Sequence, residues 1–167
     1  MISIWVRTMK VFTIVLFASI PSSVDAHQFR KGQIEVQHPW AMTIQPNSTV
    51  LGGYLTIENF GIESDRLVRG STNIAERLEI QESLTASGSQ TTRTLKDGIK
   101  ISPGAIVRFE PGGPQLVLVN LRGSLSERTL FKGTLLFEKA GPLDVEFVYL
   151  KTAPAPDALD HWTHASP

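Results

Sequence analysis

The chain has 167 residues, 16 basic against 16 acidic for a formal net charge of zero, and no cysteine. Balanced charge excludes the concentrated positive field that selects nucleic acid or an anionic bilayer surface. Without a thiol there are no disulfides, thiolate metal sites or cysteine nucleophiles.

The first stretch reads as an export signal. Arg7 and Lys10 form a basic start, Val11 to Ile20 is mostly apolar, Pro21-Ser22-Ser23 breaks the run, and Val24-Asp25-Ala26 offers small residues for cleavage. The apolar run is about 10 residues, against the roughly 20 of a membrane span. Cleavage after Ala26 leaves 141 residues with 14 basic and 15 acidic side chains. The expectation is a periplasmic or secreted monomer that starts at His27, with no nucleic-acid partner and no membrane contact in the mature form. Residues 1–26 are the signal, 27–150 one β-domain and 151–167 a loose His-containing tail.

After a polar lead-in from His27 to Gly32, Ile34 and Val36 alternate with Glu35 and Gln37 in a half-buried strand that ends at His38-Pro39-Trp40. Tyr54, Leu55 and Ile57 mark a strand from Val50 to Asn59. Leu67 and Val68 mark another from Asp65 to Ser71. From Ala75 to Glu82, Leu78 and Ile80 face one way and Arg77, Glu79 and Gln81 the other. A Thr-rich strand runs from Gln90 to Leu95. Ile106 to Glu110 leads into Pro111-Gly112-Gly113-Pro114, where Pro sets φ and Gly accepts positive φ. In the strand that returns from this turn, Leu116, Leu118 and Leu121 read as core, while Gln115 and Val117 share the other face at the rim. Thr129 to Lys139 and Leu143 to Leu150 form a last pair across Ala140-Gly141-Pro142. Short strands with frequent turn signals predict an all-β antiparallel sandwich or barrel.

Several segments together resemble the PCu(A)C periplasmic copper chaperones, which have a cupredoxin-like fold. These are His38-Pro39-Trp40-Ala41, Gly53-Tyr54-Leu55-Thr56-Ile57-Glu58-Asn59-Phe60-Gly61, Asp65-Arg66-Leu67, Glu79-Ile80-Gln81-Glu82, Pro111-Gly112-Gly113 and Phe137-Glu138-Lys139-Ala140-Gly141. The resemblance implies a cupredoxin-like β-domain of periplasmic copper handling, with a copper-receiving protein or another periplasmic protein as partner. It also places the family's His, Met, His and Met ligands of Cu(I) at Gln81, Thr92, Gln115 and Val117. Cu(I) is soft and prefers thioether, thiolate or imidazole, so these four are expected not to bind it. After signal removal only Met42 remains as a thioether.

Copper has a second set of candidates. His27, as an N-terminal residue, could chelate Cu(II), joined by His161 and His164 of the tail. His38 is a further candidate, although the predicted sheet body holds no His. The plain alternative is solvated His on frayed ends, with His38 packed near Trp40. No Gly-x-Ser-x-Gly or His-Glu-x-x-His occurs, and alternation sends Glu79 and Glu82 to opposite faces, so no enzyme is expected. Two functions stay open. One is copper handling without the family's Cu(I) site. The other is a metal-free binding module that presents Gln81, Thr92 and Gln115 as hydrogen-bonding groups.

Overall fold

A computed structural model describes residues 28–45, 48–86 and 89–155. The predicted signal peptide, His27, His161 and His164 lie outside them. Eleven strands follow in order: β1 (Gln28–Lys31), β2 (Ile34–Thr43), β3 (Leu51–Asn59), β4 (Asp65–Thr72), β5 (Ala75–Ala86), β6 (Ser89–Thr94), β7 (Ile99–Ile101), β8 (Ile106–Phe109), β9 (Pro114–Leu121), β10 (Leu130–Phe137) and β11 (Gly141–Tyr149). The supposed lead-in is thus a strand: β1 pairs with β2, and Phe29 packs on the core.

Seven strands close into a barrel in the order β2-β11-β10-β4-β5-β9-β3, with β3 returning to β2. The pairings are antiparallel except the seam between β11 and β2, which is parallel and short, pairing Val148 with Trp40 and Tyr149 with Ala41. Alternation supplies the core: every second residue of β10 and β11 (Phe131, Leu135, Phe137, Val145, Phe147) points inward and is buried. In β9 the inward residues are Leu116 and Leu118. Asn120 then adopts φ 58°, which changes the phase and lets Leu121 return to the core.

The Pro-Gly-Gly turn forms as its residues dictate. Gly113 N–H donates to Glu110 O at 3.0 Å, and Gly112 takes φ 90°. It does not, however, reverse the chain. β8 pairs antiparallel with Leu55–Glu58 of β3, and β9 pairs antiparallel with Leu51–Gly53 of the same strand. β8 and β9 therefore run in one direction along one edge of β3. The segment between them is a looped-out insertion, closed by Glu110 N–H donating to Pro114 O at 3.0 Å. On the other side of β3, the register of β2 slips between Gln37 and Trp40. His38 sits in this bulge at φ 49°, so one His does lie within the sheet.

Candidate functional site

On the outer surface of the barrel, β6, β5, β9, β3 and β2 carry a continuous row of side chains. Gln81 of β5 lies directly opposite Gln115 of β9 on one side and Thr94 of β6 on the other. Thr92 opposes Ser83, so it is a diagonal neighbour of Gln81 on the same face, about 7–8 Å away. Val117 opposes Glu79 and follows Gln115 on that face. The four positions that the resemblance singled out thus converge on one surface from three adjacent strands.

Their surroundings differ from a rim. Gln115 is 7 % exposed and Val117 4 %, so both are covered, whereas Thr92 is exposed. Gln81 Nε2 donates to Glu79 Oε2 at 3.0 Å, and Arg77 Nε donates to Glu79 Oε1 at 3.4 Å. A carboxylate only accepts, so the Gln81 amide nitrogen faces Glu79 and its oxygen remains an acceptor. Tyr54 Oη donates to Gln115 Oε1 at 3.5 Å. Burial pushes the Tyr54 phenol above its ordinary pKa, which keeps it neutral and a donor.

Glu79 and Tyr54 hold these amides, and sequence reasoning missed both. Tyr54 was legible only as a strand aromatic, yet its partner on the same face, Gly52, carries the signal. A Cβ at Gly52 would collide with the Tyr54 hydroxyl and ring. The hydroxyl therefore lies over Gly52, between β2 and β9. Trp40 packs against Tyr54 with ring centroids 4.4 Å apart and planes tilted by 36°, and Leu150, Met42 and Val148 complete a second apolar cluster outside the barrel core. Met42, the one thioether among the described residues, is thus used in packing.

The sites are oxygen- and amide-rich rather than soft. Among the described residues no group of three His, Cys, Asp or Glu side chains could hold a metal ion. His38 lies at the β2 bulge beside Trp40, in a cavity separate from the Gln81–Gln115 pair.

Comparison with known proteins agrees with this frame. The chain is similar to the copper-bound PCuAC domain from PmoF2, with 24% identity, 77% of this chain and 99% of that one covered, and a TM-score of 0.59. The apo PCuAC domain from PmoF1 matches at 23% identity, with 77% and 100% covered and a TM-score of 0.60. Apo-DR1885 from Deinococcus radiodurans matches at 18%, with 87% and 96% covered and a TM-score of 0.51. At these identities the likeness bears out the expected PCuAC-like, cupredoxin-type fold and no more. A curated relative, "Putative lipoprotein Lxx21020" of Leifsonia xyli subsp. xyli, is 24% identical over 118 residues, which cover 71% of this chain and 70% of that one. The family description "Putative lipoprotein LpqE-like" matches residues 34–149, and the chain belongs to this LpqE-like family.

Proposed function

We propose that the protein is an exported, non-catalytic domain of the cell envelope that keeps the copper-chaperone frame but does not hold Cu(I) on the face where those chaperones are expected to hold it. One observation carries this reading. Gln81 and Gln115 are direct cross-strand partners, with Thr92 and Val117 on the same face, so the chain sets two amides, a hydroxyl and an isopropyl group where soft ligands would have to converge. The name of the Leifsonia relative and that of the family both point to the envelope. These 167 residues contain no cysteine on which a thioether-linked lipid could form, so export through the leader 1–26, with cleavage after Ala26, is the address we favour. The domain would span 27–150 and the tail 151–167.

A role in periplasmic copper handling, with a copper-receiving protein as partner, rests on the likeness of fold alone. Any copper would then be held as Cu(II) by His27 with His161 or His164. A second reading, a metal-free binding module, is favoured by the hydrogen bonds that orient the two amides, Glu79 to Gln81 and Tyr54 to Gln115.

Competition for Cu(I) against a chelating indicator tests the proposal. The wild-type protein should lose the metal. The combined substitutions Gln81→His, Thr92→Met, Gln115→His and Val117→Met should retain it, because they place two imidazoles and two thioethers on one face. Val117 is covered, so its added volume should cost about 1–3 kcal/mol of stability. Tight Cu(I) binding by wild type lacking His27, His161 and His164 would overturn the reading. A folded quadruple variant that still loses copper would show that the four positions do not converge as ligands.

A further inference from the structure

The bulge of β2 and the looped-out segment between β8 and β9 interrupt the two strands that flank β3 at the same level of the barrel. Where they leave the sheet, its outer surface sinks into a cavity of about 350 Å³ that His38 and Glu110 both line. This is the small end of the range for ligand pockets, suited to a molecule of few heavy atoms. His38, at φ 49°, is a non-glycine residue held in the left-handed region at the mouth of this cavity. Such a conformation persists only where the surroundings impose it, and it gathers at functional sites.

The lining has two characters. Trp40, Phe109 and the 45 % exposed Ile106 give an apolar side. Arg108, Glu58 and Glu110 give a charged one. Thr56 opposes Arg108 and Glu58 opposes Ile106, so Arg108 and Glu58 are diagonal neighbours, about 7–8 Å apart. They are close enough to share a bridging group, yet neither forms an ion pair with another described residue, and nor does Glu110. Glu58 also faces a like charge: Glu35 opposes it across β2 and β3. Glu35 is itself engaged, accepting from Gln37 Nε2 at 2.6 Å and lying 4.0 Å from Arg30. Two carboxylates across a strand pair repel, and a cationic group placed against Glu58 would relieve that repulsion.

We propose that this cavity binds a small zwitterion of the amino-acid class. Its ammonium lies toward Glu58 and Glu110, its carboxylate on the Arg108 guanidinium and its apolar body against Trp40 and Ile106. Two carboxylates against one guanidinium argue against a simple anion, and Arg108 argues against a simple cation. The site is separate from the Gln81–Gln115 face, so it stands or falls independently of the Cu(I) reading.

The test is a titration of ¹⁵N-labelled protein followed by NMR at the Trp40 indole N–H and the backbone amides of residues 106–110. The probes are L-leucine, L-phenylalanine, N-acetyl-L-leucine and L-leucinamide. At least one free amino acid should give saturable shifts, and capping either charged end should weaken binding roughly tenfold or more, the worth of one charge-assisted hydrogen bond. Arg108→Gln should erase the preference for leucine over leucinamide, while Arg108→Lys should keep part of it. Glu58→Gln with Glu110→Gln should erase the preference for leucine over its N-acetyl form. These three side chains are not core, and each variant is checked by its melting temperature. No saturable shift with either amino acid at millimolar concentration overturns the proposal. So do capped probes that bind as well as the free ones, or preferences that survive in both charge variants.

Discussion

At Gly52 the packing of the outer cluster depends on an absent side chain. A Cβ there would meet the Tyr54 hydroxyl and the ring carbons behind it, and Tyr54 is held in turn by Trp40 and by its bond to Gln115. Gly52→Ala should therefore displace Tyr54 and cost about 1–3 kcal/mol, read as a shift in the denaturant midpoint. In a Tyr54→Leu background the obstacle is gone, and the same substitution should cost markedly less. Equal costs in both backgrounds would show that the hydroxyl does not occupy the space over Gly52. At this scale the sequence was legible wherever a residue's own chemistry dictates its place. Asn59, 2 % exposed, donates from Nδ2 to the carbonyls of Glu63 and Ile101 and accepts from Gly61 N–H, as a strand-ending Asn-x-Gly suggests. The Glu79–Gln81 bond was less legible, because alternation puts both on one face but does not say which way an amide turns.

Among the elements, the turn between β10 and β11 is bound to the start of β4 by one carboxylate. Asp65 Oδ1 accepts from Lys139 N–H and Oδ2 from Ala140 N–H, both at 2.9 Å, and Oδ1 also accepts from Arg66 N–H at 2.7 Å. Beside it, Lys139 Nζ donates to Glu63 Oε2 at 2.8 Å and joins the β3–β4 loop to the same turn. That hydrogen bond, and then the charge of Lys139, holds the Glu63 carboxyl below its ordinary 4.5, while the bond to Glu63 raises Lys139 above its ordinary 10.5. A lowered acid adds stability that is present above its unfolded pKa and lost as pH falls through the folded one. A raised base adds stability that is present below its unfolded pKa and lost as pH rises through the folded one. Both groups are exposed and screened, so the effect is small. Glu63→Gln should flatten the stability profile below about pH 4.5 and above about pH 10.5 and leave its shape unchanged between. Thermal midpoints across pH check this, and parallel profiles for variant and wild type would refute it. The Asp65 and Lys139-Ala140-Gly141 motifs were both legible, but their union was not, since no local pattern reports that a strand start and a distant turn meet. The same limit explains the Pro-Gly-Gly segment. Its turn chemistry was correct, but whether a turn reverses a strand or bulges from it depends on the neighbour that both halves pair with.

For the molecule as a whole, alternation in the strands fixed an all-β fold, while closure of the barrel was hidden because it rests on contacts between β2 and β11, strands distant in sequence. The seam is small: two residue pairs between β2 and β11, extended by Leu150 N–H donating to Ala41 O at 2.8 Å and by the cluster of Trp40, Tyr54 and Leu150. The β10–β11 ladder has eight pairs and the β5–β9 ladder seven, and only β4–β5, with one, is shorter than the seam. The seam also joins segments far apart in sequence, so its loop-closure entropy is among the largest in the fold. A short ladder with a high closing cost should form late, after the β10–β11 hairpin and the β5–β9 pairing have built one wall of the barrel. Contacts absent from the transition state slow unfolding without speeding folding. Leu150→Ala should thus lower stability by about 2–4 kcal/mol, nearly all of it as faster unfolding. A Leu135→Ala change in the wall should slow folding as well. Stopped-flow refolding and unfolding in denaturant separate the two. If Leu150→Ala slows folding as much as Leu135→Ala does, the seam forms with the wall and the barrel closes in a single step.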